Sequence, residues 1–531
     1  MCAKPEDRCG EETMKDRRRT SRKLADSLGG LWPGLRYLGL GIWLVWAFLA
    51  YSGTVWLSDT EIDGGNLSTM YLVSTSACAL VLLFAPFFSR RFEHILSSRN
   101  WIMASGLIAM VGAGGIILAG PFYLGIPVLF WIGNALTGIG TGVLALKLGQ
   151  LYGELQPRRA LVYTLLSQLL VVLLYSFVIG NETFQPVPGG PSLGGILALM
   201  CLPVLAAWVI TIGQPRTNTA DLDDPKPETD YQRRISQLTP AFWKFLFAVF
   251  IFTFATSVVR GFFTYLRPPS DILTDSNNVM LLRALVVIVF LLVAIRFLQH
   301  INFGKLYLFF MVILAIAVAV TPLLNIYNQA ITAVVSLSSN VLDFLVWCLL
   351  AFIVSEKRIA ATIVFGFGRG IFMAGCAIGW FVGGNVIPML SGSNWETAFY
   401  IALAFLILLS TTLVFSEKDF DRLFTPIAEG ELSLDDLITE TAGASRLAET
   451  PEPERPYMIA CESVGEEAHL SVREQDILNL LALGRGTENI AKKLSISLNT
   501  VRTHTHNIYA KLDVHSRQEL VELIEAKRNT L

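Results

Sequence analysis

Two sets of residues in this sequence could do chemistry. Between positions 485 and 517 there are six lysines and arginines (Arg485, Lys492, Lys493, Arg502, Lys511 and Arg517) against two acids. A face of that charge has salt-dependent affinity for phosphate polyanions. The second set lies in long apolar runs: Arg260, Arg283, Asp343 and Arg369. Charge in such a run is costly, so these residues are functional candidates by default. Arg283 stands near the outer end of its run and is expected to snorkel outward. Asp343 and Arg369 fall on neighbouring runs at depths differing by roughly 6 Å, which a long Arg side chain spans. The bland alternative for that pair is a purely structural ion pair. No nucleotide-binding loop, metal constellation or nucleophile–base set is legible, so neither catalysis nor a cofactor is expected.

The elements that position the basic set are amphipathic and belong to a soluble module over 466–531. Ser471-Val-Arg-Glu474 reads as a capping box opening a helix that buries Ile477, Leu478 and Leu481. Gly484 supplies its stop. Thr487 caps a short second helix with Ile490, Ala491 and Leu494 inward. The turn Ser495-Ile496-Ser497 leads to a third helix over about 498–512, with Val501, Ile508 and Leu512 inward. Ser516-Arg-Gln-Glu519 opens a fourth, burying Leu520, Leu523 and Ile524. Two helices joined by a three-residue turn, the second longer, make a helix-turn-helix.

These residues closely resemble the LuxR/GerE-type regulators over about 60 positions. Leu470-Ser471-x-Arg473-Glu474 opens the likeness; Ile490-Ala491-x-x-Leu494 follows. The hallmark is Ile496-Ser497-x-x-Thr500-Val501-Arg502-x-His504, then Ile508-Tyr509-x-Lys511-Leu512 and Ser516-Arg517. The resemblance implies a bacterial transcription regulator whose third helix enters the major groove of duplex DNA, paired as a homodimer through the fourth helix. Asn499, Thr500, Arg502, Thr503 and His506 then form the reading face. Arg502 is suited to a bidentate contact with guanine and Thr503 to a thymine methyl. Lys492, Lys493 and Lys511 are expected on phosphates, which position without specifying sequence. The family usually has lysine where His506 stands. For His504 a packing or backbone-capping role is preferred over base contact.

The rest of the chain must hold this module at a bilayer. Of 531 residues 53% are hydrophobic and 16% charged, and mean hydropathy is +0.53; soluble domains carry about 25% charged residues. Twelve apolar runs are long enough to cross a hydrocarbon core of roughly 30 Å: 35–57, 68–88, 101–120, 125–147, 160–180, 193–212, 241–266, 278–298, 305–324, 329–354, 361–388 and 396–415. The basic clusters fall on one side: Lys15–Lys23, Arg90, Arg91 and Arg99, Arg158 and Arg159, Arg216, Arg233 and Arg234, Lys305, and Lys357 with Arg358. The alternate loops carry almost none. The positive-inside rule and the even count both predict cytoplasmic termini and a multi-pass protein of the bacterial inner membrane. The first 30 residues are polar, so no cleavable signal peptide is expected. The seven cysteines form no CxxC pair and read as free thiols.

A loop over 213–240 divides the runs six and six. That division resembles the major facilitator superfamily, whose halves surround a central cavity. The fourth run reads Asn134-Ala-Leu-Thr-Gly138-Ile-Gly140, a family motif with Asn134 in place of its arginine. The eleventh has Gly366, Gly375, Gly379, Trp380, Gly383 and Gly384, the family's glycine-rich spacing with Trp380 in place of proline. The family places that motif in the fifth run, the repeat equivalent of the eleventh. Small-residue helix packing explains the glycines without transport. Ser89-Arg90-Arg91-Phe92-Glu93 lacks the family's glycine-and-aspartate signature. The family lines its cavity with the first, fourth, seventh and tenth helices, so Asn134, Arg260 and Asp343 qualify as cavity residues, with Arg369 beside Asp343.

The expected fold is therefore all-α: a basic cytoplasmic segment (1–34), a twelve-helix bundle (35–415), an acidic linker (416–465) and the four-helix module (466–531). Residues 416–466 hold thirteen acids against four basic residues, with Pro426, Pro451, Pro453 and Pro456, a composition of disorder with one or two helical turns predicted at Ser433–Ile438. Fifty flexible residues span roughly 35–42 Å. Three function classes follow: a one-component regulator whose bundle senses a small molecule or membrane state, a transporter with a regulatory DNA-binding tail, and a regulator whose bundle only anchors it.

Overall fold

The computed structural model describes residues 33–52, 64–119, 126–184, 192–212, 238–266, 269–297, 303–323, 329–357 and 359–415. It also describes 423 and, in the C-terminal part, 461, 463–465, 468, 470, 472–482, 498–512, 514, 519, 520, 523, 524 and 527. The basic N-terminal segment, most of the 213–240 loop and most of the expected linker lie outside these residues. The described elements are helical. The chain divides into two compact units, Met1–Thr441 and Ala442–Leu531.

The first unit contains twelve long helices among its described residues. They are α1 (Gly39–Ser52), α2 (Gly64–Phe84), α4 (Arg99–Ala119), α5 (Pro127–Gly153), α6 (Pro157–Ile179), α7 (Leu193–Ile210), α8 (Pro240–Leu266), α9 (Pro269–Phe297), α10 (Phe303–Val320), α11 (Gln329–Lys357), α12 (Ala361–Phe381) and α13 (Asn394–Leu409), with a short α3 (Ser89–Ser97) after α2. The apolar runs become helices because a helix satisfies its own backbone polar groups where no water can. Their starts follow local rules. Pro127 and Pro157 open α5 and α6 after an extended residue, where a missing N–H costs nothing. Ser192 Oγ accepts from the Gly195 N–H at 3.0 Å to cap α7. Between α12 and α13 the chain turns at Gly392, whose φ of 76° favours glycine.

Eleven of the described helices are long and apolar enough to cross a membrane. In α9 the described apolar stretch is Asn277–Leu292, with Arg283 inside it. The chain forms a multi-pass membrane protein. Two details depart from the sequence expectation. The basic loop after α2 folds as α3, with Leu96 buried and Arg90 and Arg91 exposed, an amphipathic pattern that a search for apolar runs passes over. The helices α12 and α13 each end in a π turn, Val382–Val386 and Ser410–Val414.

Packing shows a twofold repeat. In the first half α1 packs on α6 and α7, α4 on α5 and α7, and α2 on α5. In the second half α8 packs on α12 and α13, α10 on α11 and α13, and α9 on α11. Each pair has its counterpart six spans on. The halves meet through α2–α12 and its counterpart α6–α9, joined by α11 against α5 and α6. That is the major-facilitator-like arrangement of two related six-helix halves. Glycines allow the closest approaches: a Cβ at Gly112 would lie 2.6 Å from the Gly133 carbonyl oxygen, and one at Gly133 2.7 Å from that of Gly112. The glycine row of α12 works likewise, with Gly375, Gly379 and Gly383 against α8 and Gly366 and Gly370 against α2. Small-residue packing thus accounts for that spacing.

In the second unit the described helices are α14 (Val472–Ala482) and α15 (Leu498–Leu512). Ile477, Leu478, Leu481, Ile508, Leu520 and Ile524 form one core, as the periodicity predicts, and Leu512 packs against it. Three points differ from expectation. Cys461 and Val464 belong to the C-terminal unit, Cys461 within its core, so the module reaches into what reads as linker. At the other edge Leu423 is buried with the bundle. Leu523 is exposed, unlike Leu520 and Ile524. The expected second helix at 487–494 lies outside the described residues.

Candidate functional site

The helix α15 sorts its side chains by period. Ile508 is fully buried against α14, and Thr500, Thr503 and His506 are exposed. Steps of three residues place those three on one face, the face expected to read bases. The side chains of Asn499 and Arg502, and Lys492 and Lys493 entirely, lie outside the described residues. Lys511 is placed differently from the simple phosphate expectation. Its Nζ donates to Glu474 Oε2 at 2.7 Å, the Glu474 carboxylate being buried. This charge-assisted bond ties the end of α15 to the start of α14. Lys511 remains substantially exposed, so a phosphate would share its ammonium with Glu474. His504 is half-buried, with Nδ1 out of solvent and making no hydrogen bond; the packing reading fits this better than the capping one.

Inside the bundle the charges fall into three groups. Arg369 on α12 is 1% exposed and donates to Asp343 on α11, the pairing the sequence predicts. Its guanidinium also lies over Phe372 at 4.1 Å and Trp347 at 5.0 Å. Trp347 in turn contacts Trp43 on α1, Tyr152 on α5 and Phe365 on α12. Two rings of the second half therefore flank the ion pair, and Trp347 links it to Trp43 and Tyr152 in the first half. The second group gathers on the side expected to face outward. Arg260 on α8 stands over the Trp380 ring at 5.7 Å, Trp380 Nε1 donates to Ser68 Oγ at 2.8 Å, and Tyr71 lies 4.1 Å from Trp380. Tyr51 continues the chain to Ser74, which is bonded to Thr137 at 3.0 Å.

Asn134 does not join Arg260. Its Nδ2 donates to the Phe130 carbonyl at 2.8 Å, and its Oδ1 is buried without a hydrogen-bond partner. The four cavity candidates are thus one ion pair and two separate polar positions. The third group corrects an expectation. Arg283 is only 3% exposed and does not snorkel outward. It donates to Gln168 on α6 and to Asn340 on α11, the latter at 3.4 Å, and covers the Phe48 ring at 4.4 Å. Its helix packs on α6 and α11, so the residue faces protein. Gln168, a lone amide in the run Leu165–Val172, was the available signal, because a polar residue inside such a run usually has an inward partner. Trp347 and Trp380 carried no signal apart from their type. Cys78, Cys201, Cys348, Cys376 and Cys461 are free thiols.

Residues 468–524 match the family model "Bacterial regulatory proteins, luxR family". The oxygen regulatory protein NreC of Staphylococcus haemolyticus is 48% identical over 59 residues, 11% of this chain and 27% of that protein. The CsgBAC operon transcriptional regulatory protein of Escherichia coli is 45% identical over 56 residues, 10% of this chain and 26% of that one. The transcriptional regulatory protein LiaR of Bacillus subtilis is 32% identical over 126 residues, 21% of this chain and 59% of that one. The chain thus spans between about a quarter and three fifths of these relatives. The C-terminal segment is a LuxR-type DNA-binding domain of the kind found in transcription regulators. Among solved structures, the transporter FucP in its outward conformation aligns with a TM-score of 0.48 and 13% identity, covering 70% of this chain and 96% of that one. The proton:xylose symporter XylE aligns at 0.44 and 15%, covering 79% and 98%.

Proposed function

We propose that this chain is a membrane-embedded one-component transcription regulator. In this reading the bundle sits in the bacterial inner membrane with both termini cytoplasmic. The C-terminal module binds duplex DNA as a homodimer through Asn499, Thr500, Arg502, Thr503 and His506, with Lys492, Lys493 and Lys511 on phosphates. The bundle senses a small molecule or the state of the membrane. The observation that carries the reading is the union, in one chain, of a LuxR-type domain with a two-half bundle that holds the Asp343–Arg369 pair against the rings of Trp347 and Phe372. An anchor needs one apolar helix, and a purely structural bundle has no need of buried charge, whose desolvation is costly.

The mechanism rests on linkage. A ligand alters transcription only by binding one state of the bundle better than another. The pair lies on α11 and α12, and Trp347 connects it to Trp43 on α1 and Tyr152 on α5, so a ligand that perturbs it acts on both halves. The acidic linker is expected to transmit proximity between protomers rather than rotation, and it supplies carboxylates able to mask the basic recognition face at rest.

Chromatin immunoprecipitation of the full chain tests the DNA part. The wild type enriches discrete promoter sites while remaining in the membrane fraction. Arg502→Ala lowers occupancy at those sites, with a loss of about 1–3 kcal/mol when duplex affinity is measured. Unchanged occupancy removes α15 as the reading element. A reporter fused after Leu531 that behaves as extracytoplasmic removes the DNA-binding reading altogether.

A further inference from the structure

At one end of the bundle an aromatic groove crosses the seam between the two halves. Its floor is Phe367 on α12, only 9% exposed. One rim is Phe87, in the turn between α2 and α3, whose ring meets Phe367 edge-on at 5.9 Å. The other rim is Trp243, near the start of α8, at 5.2 Å from Phe367. Both rims are open, Phe87 at 60% and Trp243 at 42%. Cations flank each rim. Arg90 and Arg91 follow Phe87 by about one helical turn at the start of α3, and Lys244 follows Trp243; all three are exposed. The helix α3 packs on α4, α5 and α12 with Leu96 buried. Arg91 makes no ion pair among the described residues, and the one acid of α3, Glu93, is half-buried. Basic side chains beside exposed aromatic rings suit the boundary between hydrocarbon and charged headgroups.

We infer that this groove binds an anionic phospholipid, its acyl chain laid over Phe87, Phe367 and Trp243 and its phosphate taken by Arg91, with Arg90 and Lys244 at the rims. The rings are exposed on a membrane-spanning bundle, so a lipid is the molecule at hand to cover them. The charge selects its class: the arginine fork suits phosphate oxygens, and a zwitterionic headgroup would bring a further cation to a place that already holds three. On the orientation proposed above this end lies in the cytoplasmic leaflet, whose anionic lipids attract basic side chains. One rim belongs to the first half and the other to the second, so a bound lipid favours the arrangement that keeps this end of the seam together. Phe367 stands two residues before Arg369 on α12, so occupancy bears on the helix that carries the ion pair. This rests on the sensing role proposed above and names the membrane state that is read, the density of anionic lipid.

The test uses the full chain and its Trp243→Phe variant in phosphatidylcholine nanodiscs that contain a minor fraction of lipid brominated on its acyl chains. Bromine quenches the fluorescence of a tryptophan it touches, and the difference between the two proteins isolates Trp243. Brominated phosphatidylglycerol is expected to quench Trp243 at least about fivefold more per mole than brominated phosphatidylcholine, the preference that one basic side chain near the surface confers. The double change Arg90→Gln with Arg91→Gln brings the ratio below about twofold, and Arg91→Gln alone gives an intermediate ratio. Lys357→Gln, which removes an exposed cation at the end of α11, leaves the ratio unchanged. Equal quenching by the two lipids, a preference that survives in the double variant, or one that falls as far in Lys357→Gln would each overturn the assignment. A preference that emerges only when residues 424–460 are deleted would overturn it in favour of the acidic linker as the occupant. A preference without any change in promoter output when cells are depleted of phosphatidylglycerol leaves the lipid site standing and removes its sensing role.

Discussion

The helices α15 and α12 treat polar side chains in opposite ways. On α15 the polar residues Thr500, Thr503 and His506 stand in solvent while Ile508 is sealed in the core. On α12 the one charged residue, Arg369, is sealed inside, and Ile378 and Phe381 face outward. The first helix presents polar groups to solvent; the second encloses a group that finds its partner on a neighbouring helix. Solvent explains the inversion. In water apolar residues turn inward, whereas in lipid the polar ones do, because the surroundings offer no hydrogen bonds. A polar residue on α15 is therefore a candidate for contact with a macromolecule, and one on α12 for contact with a small ligand or a structural partner.

Breaking the enclosed pair should give the largest effect. Arg369→Met leaves the largely enclosed Asp343 without the counter-ion it bonds and should destabilise the bundle by up to about 3–5 kcal/mol, read as a lowered midpoint in denaturant or heat. The double change Arg369→Met with Asp343→Leu should recover most of that loss, since matched apolar replacement is tolerated. No recovery would mean that the pair does more than compensate charge. A core change in the other unit comes next. Ile508→Ala should cost the C-terminal unit about 2–4 kcal/mol and leave the thermal midpoint of the bundle where it was, since the two cores are separate. A matching loss in the bundle would contradict that separation. The smallest effect sharpens the comparison at Lys511. Removing its exposed ammonium with Lys511→Ala should cost about 1–3 kcal/mol of stability, mostly from the buried Glu474 carboxylate left behind. If Lys511 also serves a phosphate, the salt dependence of DNA binding should fall by about one unit of slope; an unchanged slope confines it to the Glu474 bond.

The two regions also differ in how much of them the sequence revealed. The core of the C-terminal unit was legible because helical period alone sorts Ile477, Leu478, Leu481 and Ile508 inward. The membrane helices were legible from apolar length, and the Asp343–Arg369 pair from depth along neighbouring helices. Three things were not. The position of Arg283 was misread because burial of a charge near a helix end depends on which helices pack there, here α6 and α11, and no local pattern carries that. The Lys511–Glu474 bond joins residues 37 positions apart and is likewise tertiary. The helix α3 was overlooked because nine amphipathic residues fall between two apolar runs and contribute nothing to a search for runs. Cys461 read as linker because the residues around it are acidic and proline-rich, and a single apolar residue joining a core leaves no period.

The central claim is that the bundle governs the module. It is tested most directly by the output of a target promoter in two strains. One carries the full chain; the other carries a chimera in which an unrelated single-helix anchor replaces residues 1–415. Both are grown with normal and with depleted phosphatidylglycerol. The account predicts that output changes with phosphatidylglycerol content only in the full chain, that Asp343→Asn alters that response, and that the chimera gives constant output. Equal and lipid-responsive output from both strains would contradict it and reduce the twelve helices to an anchor.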